Sequence, residues 1–413
     1  MFYNDRKNLQ DKILTLRKRV VEQLDLSKDT SDEEIKEQID REILEWDELR
    51  HLPVQVKIEL QKGVFNSIRR LDALQELVEN KNITEIMING PDAIFIEEAG
   101  KIRKWEKNFE SKEKLTDVIQ QIVAKTNRIV NEANPIVDTR LEDGSRVNVV
   151  LPPVALNGPI VTIRKFPEKT MEMEDLIAYG SLPVYVADFL EKLVKAKYNI
   201  FISGGTGSGK TTFLNVLSNY IPADERIITI EDSAELQIKN IPNLVKLETR
   251  NANVEGKNEV TIRDLIKSAL RMRPDRIVVG EVRDGAALDM LSALNTGHDG
   301  SLSTGHANSP EDMLGRLTTL VLMAMELPLS AVMGQIASAL EIIVHLGRLR
   351  DKSRRVLEIV EVLDYVDGDI KTQPLFQFVE QGEDEDGRVI GELKPTEYAL
   401  IQTEKLKRAG IVI

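Results

Sequence analysis

The sequence predicts an α/β protein whose C-terminal part is a helix-covered parallel sheet, and three observations support this prediction. Short apolar runs alternate with helical segments after residue 183, which is the pattern of a parallel sheet. One of these runs leads through a glycine-rich turn into a helix. Before that point, residues 54–166 mix helices with short strands bounded by turn residues, which is typical of a separate α+β domain.

The composition limits the classes of protein that the sequence can encode. The chain has 413 residues, of which 42% are hydrophobic, and a formal net charge of −13. This length predicts two or three domains. Because the sequence contains no cysteine, disulfides, thiolate metal ligands and a thiol nucleophile are excluded. The most apolar stretch, residues 317–346, is interrupted by charged and polar residues and therefore predicts buried helices and a strand rather than a membrane span.

The first part of the chain, residues 1–53, predicts a helical segment with two apolar stripes at helical spacing. Ser31 and Glu34 have the spacing of a capping box that opens the second helix. The α+β domain at residues 54–166 follows, and residues 167–183 are predicted to be a linker. In the α+β domain, helices are predicted at residues 67–78 and 112–127, and strands at residues 85–89, 94–98, 145–151 and 160–164.

The last predicted domain, residues 184–413, alternates strands and helices. Strands are predicted at residues 199–203, 226–231, 276–280 and 301–304, with a later pair at 341–346 and 356–363. Helices are predicted from residue 210 and at residues 261–271 and 285–295. Because ligands bind outside the carboxyl ends of the strands in such sheets, we expect the functional residues directly after these strands.

The glycine-rich turn matches the phosphate-binding pattern G-x-x-x-x-G-K-[ST] between a strand and a helix. Its glycines let successive backbone N–H groups point into one anion site, and the following helix adds the positive end of its dipole. Lys210 is placed to reach the β- and γ-phosphates, and Thr211 to hold Mg²⁺. No Asn-Lys-x-Asp guanine-reading motif is present, so we expect ATP. The predicted nucleotide-binding residues are Gly204, Gly205, Thr206, Gly207, Ser208, Gly209, Lys210, Thr211 and Thr212.

Carboxylates follow two further predicted strands. Glu281 comes directly after an apolar strand and is predicted, with Thr211, to hold the metal or to polarise the attacking water. Glu231 and Glu235 belong to an acidic box at the end of another strand, which predicts a second set of acids that activate water or orient the metal. The sequence leaves open which of these acids is the base.

Two of the four histidines, His298 and His306, flank the short strand predicted at residues 301–304. A histidine after such a strand is able to sense the γ-phosphate and couple it to movement. The simpler interpretation, in which the rings bond to loop carbonyls, is stronger for His298 than for His306. A zinc site is excluded because no cysteine and no acid–histidine helix pattern supports it.

In their order along the chain, these motifs closely resemble the type II/type IV secretion ATPase superfamily, and within it the CpaF-like branch that powers tight-adherence (Flp) pilus assembly. The resemblance covers about residues 54–365. The segments that carry it are TEIMINGP at 84–91, DGSRVN at 143–148, TIRKF at 162–166, the phosphate loop, IED at 230–232, GEVRD at 280–284 and STGHANS at 303–309.

The resemblance implies a RecA-like motor domain preceded by a PAS-like domain, in a cytoplasmic homo-oligomer that forms hexameric rings. It implies partners in an inner-membrane platform, and association with the cytoplasmic membrane through those partners. It also implies that Arg146 and Arg164 act on the γ-phosphate, that Glu281 is the Walker B acid, and that His298 and His306 form a histidine box. Spacing alone does not single out either arginine.

The sequence leaves one alternative open and disfavours two others. It distinguishes only weakly between a CpaF-like ATPase and a type IV secretion or conjugation ATPase of the same superfamily. A RecA-like nucleic-acid motor needs basic or aromatic strand-binding loops, and a chain with 5% aromatic residues and an acidic balance offers little of either, so no nucleic-acid partner is expected. A binding scaffold with an inactive phosphate loop is disfavoured because every expected catalytic residue type is present.

Overall fold

The computed structural model describes residues 3–24, 30–98, 100–126, 128–166, 170–250, 252 and 257–413. The chain divides into two units, Met1–Glu168 and Lys169–Ile413. Within the described ranges, no helix combines the length and the apolar character that crossing a bilayer requires.

In its described part, the first unit begins with four helices around a shared apolar core. They are α1 (Tyr3–Gln23), α2 (Asp32–Glu45), α3 (Asp47–Arg50) and α4 (Val54–Arg69). The capping box is confirmed at the start of α2, where the Ser31 N–H donates to Glu34 Oε2 at 2.7 Å and the Glu34 N–H donates to Ser31 Oγ at 3.3 Å. Leu60 and Val64 of α4 are fully buried in the same core. The helical cluster therefore extends to Arg69 and does not end at residue 53.

The rest of the first unit is an antiparallel sheet with two helices. Its elements are α5 (Ala73–Glu79), β1 (Ile83–Asn89), β2 (Ile94–Glu98), β3 (Lys101–Lys104), α6 (Lys112–Ala124), β4 (Ile136–Arg140), β5 (Arg146–Val150) and β6 (Ile160–Arg164). Over the described residues the strand order is β3-β2-β1-β6-β5-β4. α6 packs against one face of the sheet through buried residues such as Leu115 and Ile119.

The predicted strands of this unit are confirmed as β1, β2, β5 and β6, whereas β3 and β4 were not predicted. Every residue of β3 is exposed, so this strand has no apolar side to detect. The helix predicted at residues 67–78 is interrupted between α4 and α5, where Asp72 has a φ of 53°. α6 ends before the predicted residue 127, which lies outside the described residues.

The second unit contains a larger sheet with helices on both faces. Its strands are β7 (Ile200–Gly204), β8 (Ile227–Glu231), β9 (Leu244–Glu248), β10 (Arg276–Val279), β11 (Leu302–Gly305), β12 (Ile342–Arg348), β13 (Arg354–Val366), β14 (Asp369–Glu383) and β15 (Val389–Pro395). Its helices are α7 (Met173–Ala178), α8 (Val184–Lys195), α9 (Lys210–Ser218), α10 (Ile262–Ala269), α11 (Ala286–Leu294), α12 (Pro310–Ala324), α13 (Leu329–Ala339) and α14 (Glu404–Ala409).

Over the described residues the strand order of this sheet is β15-β14-β13-β12-β7-β11-β10-β8-β9. The run from β12 to β9 is parallel, and β13 to β15 continue it as antiparallel strands. The predicted parallel α/β class is therefore confirmed. Ile200 and Ile202 of β7 pack with α8 and α9, while Phe201 packs with the helices of the opposite face.

The segment predicted as a linker contributes to the second unit. α7 places Met173 and Leu176 in its apolar core. Residues 170–183 are thus part of the second unit, and residues 167–169 lie outside the described residues. Because the parallel strands run in one direction, the residues after β7, β8, β10 and β11 lie at one edge of the sheet.

Candidate nucleotide site

The phosphate loop joins β7 to α9 and depends on glycine at three positions. Gly204, Gly207 and Gly209 have φ values of 153°, 73° and 95°, which side chains other than glycine adopt only with strain. At Gly204 a Cβ atom would lie 2.4 Å from the carbonyl oxygen of Leu346. Glycine is therefore also needed for β7 and β12 to approach each other directly before the loop.

Lys210 begins α9 and is held by three partners within the protein. Its Nζ donates to the carbonyl oxygens of Gly204 and Gly205 at 3.0 Å each and lies 3.1 Å from His306 Nδ1. The side chain is only 7% exposed. Burial lowers the pKa of Lys210, although the charge of Glu281 opposes this shift.

His306, which follows β11, connects Lys210 to Glu281. An ammonium group only donates hydrogen bonds, so Nδ1 of His306 accepts and its ring hydrogen lies on Nε2. That Nε2 atom is 3.1 Å from Glu281 Oε1. Burial, assisted by the charge of Lys210, lowers the pKa of His306. A neutral imidazole therefore bridges the loop lysine and the acid at the end of β10.

Glu281 is ionised and firmly held. Its Oε2 accepts a hydrogen bond from Arg283 Nη2 at 2.8 Å, and Arg283 Nη1 lies 3.3 Å from Asp232 Oδ2. Burial acts to raise the pKa of Glu281, but the hydrogen bond and charge of Arg283, with the charges of His306 and Lys210, outweigh it and lower the pKa. Arg283 was not among the predicted site residues, although it lies inside the GEVRD segment.

Glu231 ends β8 and is buried beside the strand that leads to Glu281. A Cβ atom on Gly280 would lie 3.0 Å from Glu231 Cγ. Glu231 Oε1 accepts the N–H groups of Glu235 at 2.9 Å and Leu236 at 3.0 Å. Its Oε2 is buried without a hydrogen-bond partner among the described residues. Burial raises the pKa of Glu231 to about 7, despite the two backbone hydrogen bonds that lower it.

We expect Glu231 to make a contribution to the stability of the nucleotide-free protein that is lost as the pH rises from about 4.5 to about 7. Over this range the carboxyl group is protonated in the folded state and ionised in the unfolded chain. The folded state therefore binds more protons, and the free energy of unfolding falls as the pH rises. Complete loss of this contribution lowers the free energy of unfolding by roughly 3 kcal/mol. Urea unfolding at several pH values across this range measures the change.

Glu231→Gln should remove this contribution to the pH dependence, whereas Glu174→Gln on an exposed turn of α7 should retain it. An unchanged pH slope in Glu231→Gln would show that the carboxyl group of Glu231 is not protonated in the folded protein at low pH.

The remaining predicted residues divide into two groups. Thr211 is half-buried in the first turn of α9, next to the exposed Thr212, and Glu235 contacts Glu231 through its backbone N–H. His298 is not brought to this edge, because it precedes β11 and its Nδ1 lies 3.1 Å from the Ala293 carbonyl oxygen. His298 therefore lies in the loop before β11, at the opposite end of this strand from His306.

Arg146 and Arg164 lie in the first unit and are cross-strand neighbours on β5 and β6. Arg140 of β4 pairs in register with Arg146, and Glu85 of β1 with Arg164. The three arginines thus form one row on the sheet, with Arg164 exposed. Arg140 was not among the predicted site residues, and its place in this row follows from the strand register.

His345 of β12 is a further residue that the sequence reasoning missed. It is 6% exposed, and its Nδ1 lies 2.9 Å from Ser203 Oγ at the end of β7. A backbone group of Asn308 also bonds to the ring, while burial lowers the pKa of His345. The ring therefore connects the strand before the phosphate loop to the segment after His306. Its one sequence signal is a polar residue inside the apolar run at residues 342–346.

The residues at this edge fit a nucleotide with Mg²⁺. Hydroxyl and carboxylate oxygens are the ligands that Mg²⁺ prefers, and it binds through one or two of them together with phosphates and water. Thr211 and Glu281 supply such oxygens, and the orphan Oε2 of Glu231 adds an unsatisfied acceptor. Among the described residues, no cluster of three or more acids and histidines would hold a metal alone.

Comparison with known proteins identifies relatives along most of the chain. The family described as "Type II/IV secretion system protein" matches residues 69–389. A putative conjugal transfer protein of Mycobacterium tuberculosis (strain ATCC 25618 / H37Rv) is 35% identical over 326 residues, which cover 78% of this chain and 92% of that protein. The type IV secretion system protein VirB11 of Bartonella henselae is 30% identical over 322 residues, covering 69% of this chain and 90% of that protein.

Solved structures share the fold at lower sequence identity. The pilus retraction motor PilT with bound ADP has a TM-score of 0.50 and 19% identity, covering 82% of this chain and 87% of that one. The ATPase DotB of Yersinia pseudotuberculosis has a TM-score of 0.51 and 17% identity, covering 72% of this chain and 79% of that one. These likenesses support the predicted RecA-like motor fold with a preceding domain.

Proposed function

Because this chain belongs to the type II/IV secretion system ATPase family, we propose that it is a Mg²⁺-dependent motor that hydrolyses ATP to drive pilus assembly or secretion. The observation that supports this most is the chain of contacts from Lys210 through His306 to Glu281. It connects a phosphate-binding lysine to a carboxylate that can act on water, within the second unit.

In this proposal Lys210 exchanges its bonds to the loop carbonyls for bonds to the β- and γ-phosphate oxygens. His306 then loses its cationic partner on Nδ1, while its Nε2 still faces Glu281. The imidazole thereby reports the state of the γ-phosphate to the acid and to the loop that follows β11. Thr211 and Glu281 would hold Mg²⁺, which would supply charge neutralisation at the phosphates.

Glu281 is the stronger candidate for the acid that polarises water. Its lowered pKa keeps it ionised at neutral pH, as a general base must be. Glu231 has a raised pKa of about 7 and its Oε1 is held by two backbone N–H groups. We therefore assign Glu231 and Glu235 to the support of the site and Glu281 to the reaction.

The proposal is tested by measuring phosphate release from ATP with Mg²⁺ at protein concentrations that allow assembly. The wild-type protein should hydrolyse ATP, and chelation of Mg²⁺ should stop it. Lys210→Ala should lose both binding and turnover. A wild-type protein that neither binds nor hydrolyses ATP under these conditions would overturn the proposed function.

Arg146→Ala and Arg164→Ala are each expected to lower ATP hydrolysis more than ATP affinity. Arginines that contact the terminal phosphate act mainly in the transition state, and their loss costs about 10³-fold or more in turnover. Nucleotide affinity by fluorescence titration and kcat by phosphate release separate the two effects. Arg103→Ala, on the exposed strand β3, is the matched control, and normal turnover in both test variants would contradict the assignment.

There are two candidates for the process that the proposed motor drives. The CpaF-like motifs favour assembly of a tight-adherence pilus, and we propose this first, in a hexameric ring that acts on an inner-membrane platform. The names of the conjugal transfer and VirB11 relatives favour a motor of type IV secretion or conjugation. A deletion strain complemented with wild type or Glu281→Gln decides between them: the first candidate expects loss of surface pili, and the second expects loss of substrate transfer with pili of this type unaffected.

A further inference from the structure

The hairpin of β12 and β13 extends beyond the end of β7 and runs beside the phosphate loop. In the parallel pairing of β12 with β7, Leu346 lies opposite Gly204, where β7 ends. The next residues of β12 therefore continue past the strand end to the level of the loop. At this level Arg348 pairs across the hairpin with Arg354, so two arginines are cross-strand neighbours at the hairpin's end.

Both arginines reach Gly207, the exposed glycine in the middle of the loop. Arg354 Nε donates to the carbonyl oxygen of Gly207 at 2.9 Å. Arg348 Nη1 lies 3.8 Å from the position that a Cβ atom of Gly207 would take. Arg354 Cδ also lies 3.4 Å from the corresponding position on Gly209. The hairpin thus places two cations against the outside of a loop whose backbone is shaped to surround an anion.

The fold itself gives no reason to place two positive charges opposite each other. Like charges at directly opposed positions destabilise antiparallel strands. Among the described residues, no carboxylate lies within ion-pair distance of Arg348 or Arg354. Arg350, in the turn of the same hairpin, is neutralised by Glu380 at 2.6 Å and by Glu383. Arg348 and Arg354 are therefore able to attract a further anion beside the loop. The charge of Arg350 in the turn is already neutralised.

We propose that Arg348 and Arg354 form a guanidinium pair that strengthens nucleotide binding from outside the phosphate loop. Arg354 is a positioning residue, because its bond to Gly207 fixes the loop backbone whose N–H groups receive the phosphates. Arg348 adds long-range attraction for the polyphosphate. This inference rests on the proposed function, since it assigns two further residues to the same nucleotide site.

The test compares fluorescent ATP and ADP analogues binding to the full-length protein and to Arg348→Gln, Arg354→Gln and the double variant. Each single variant should weaken binding about threefold to fivefold, and the double variant about tenfold or more. The loss in Arg348→Gln should shrink at high ionic strength, because salt screens exposed charges. Arg348→Lys keeps the charge and should keep most of the affinity. Arg350→Gln, on the same hairpin, is the matched control and should bind as the wild type does.

Several outcomes separate this inference from the proposed function. The double variant could bind nucleotide with wild-type affinity while Lys210→Ala loses binding. That result would overturn the inferred role of the guanidinium pair and would not contradict the proposed ATPase function. A loss of affinity that is the same for Arg348→Gln and Arg348→Lys and independent of salt would also overturn it, since that result indicates a structural effect. A wild-type protein that binds no nucleotide would overturn the proposed function and this inference with it.

Discussion

Glu281→Gln is expected to lower ATP turnover by about 10²- to 10⁴-fold, the contribution typical of a positioned general base, while ATP still binds. Glutamine keeps the size of the side chain and can still accept from Arg283, which holds Glu281 Oε2 at 2.8 Å. It cannot take a proton from water or attract it with a full negative charge. The loss should therefore fall on kcat and leave the dissociation constant of ATP nearly unchanged.

Phosphate release under saturating ATP and a separate binding titration measure these two quantities. Glu326→Gln, at an exposed position between α12 and α13, is the matched control and should turn over normally. Wild-type turnover in Glu281→Gln would move the base to another acid, and Glu231→Gln would then be the next variant to assay.

Arg276→Met is expected to destabilise the second unit by about 3–5 kcal/mol, because it leaves a buried carboxylate without its main partner. Arg276 is fully buried at the start of β10. Its Nε and Nη2 donate to the two oxygens of Glu225 at 2.6 and 2.8 Å, and its Nη1 donates to the Val194 carbonyl at 2.6 Å. Lys197 Nζ, 3.6 Å from Glu225 Oε2, compensates only partly for its loss.

Urea unfolding of the single and double variants measures the interaction. Glu225→Leu combined with Arg276→Met should be more stable than the sum of the two single losses predicts, because it removes both charges together. The exposed Arg271 offers a control, and Arg271→Met should stay within about 0.5 kcal/mol of wild type. Additive losses in the double variant would show that Arg276 and Glu225 do not depend on each other.

Except for β9, the parallel strands of the second unit were predicted, because buried strands read as continuous apolar runs. β9 lies at the edge of the sheet, and none of its residues is fully buried. Every residue of β7, β8 and β10 is buried, and all three were predicted within one or two residues. β14 and β15 were not predicted. They lie at the antiparallel edge of the sheet, where exposed polar residues alternate with buried ones and weaken the apolar signal.

The candidate site was predictable to the extent that it follows strand ends. Lys210, Glu281 and His306 each follow a parallel strand of one sheet, so the topology alone brings them together. His298 precedes its strand and lies at the other end of β11. His345 and the guanidinium pair depend on the registers of β12 with β7 and with β13, which no residue pattern in the sequence specifies.

The three internal partners of Lys210 also bear on product release in the proposed function. There, departure of the product would return the ammonium group to two carbonyl oxygens and an imidazole. A buried cation without partners would cost several kcal/mol, and that penalty would retain ADP on the protein. The contacts of Lys210 within the protein offset this penalty, so the proposed motor would release ADP more readily.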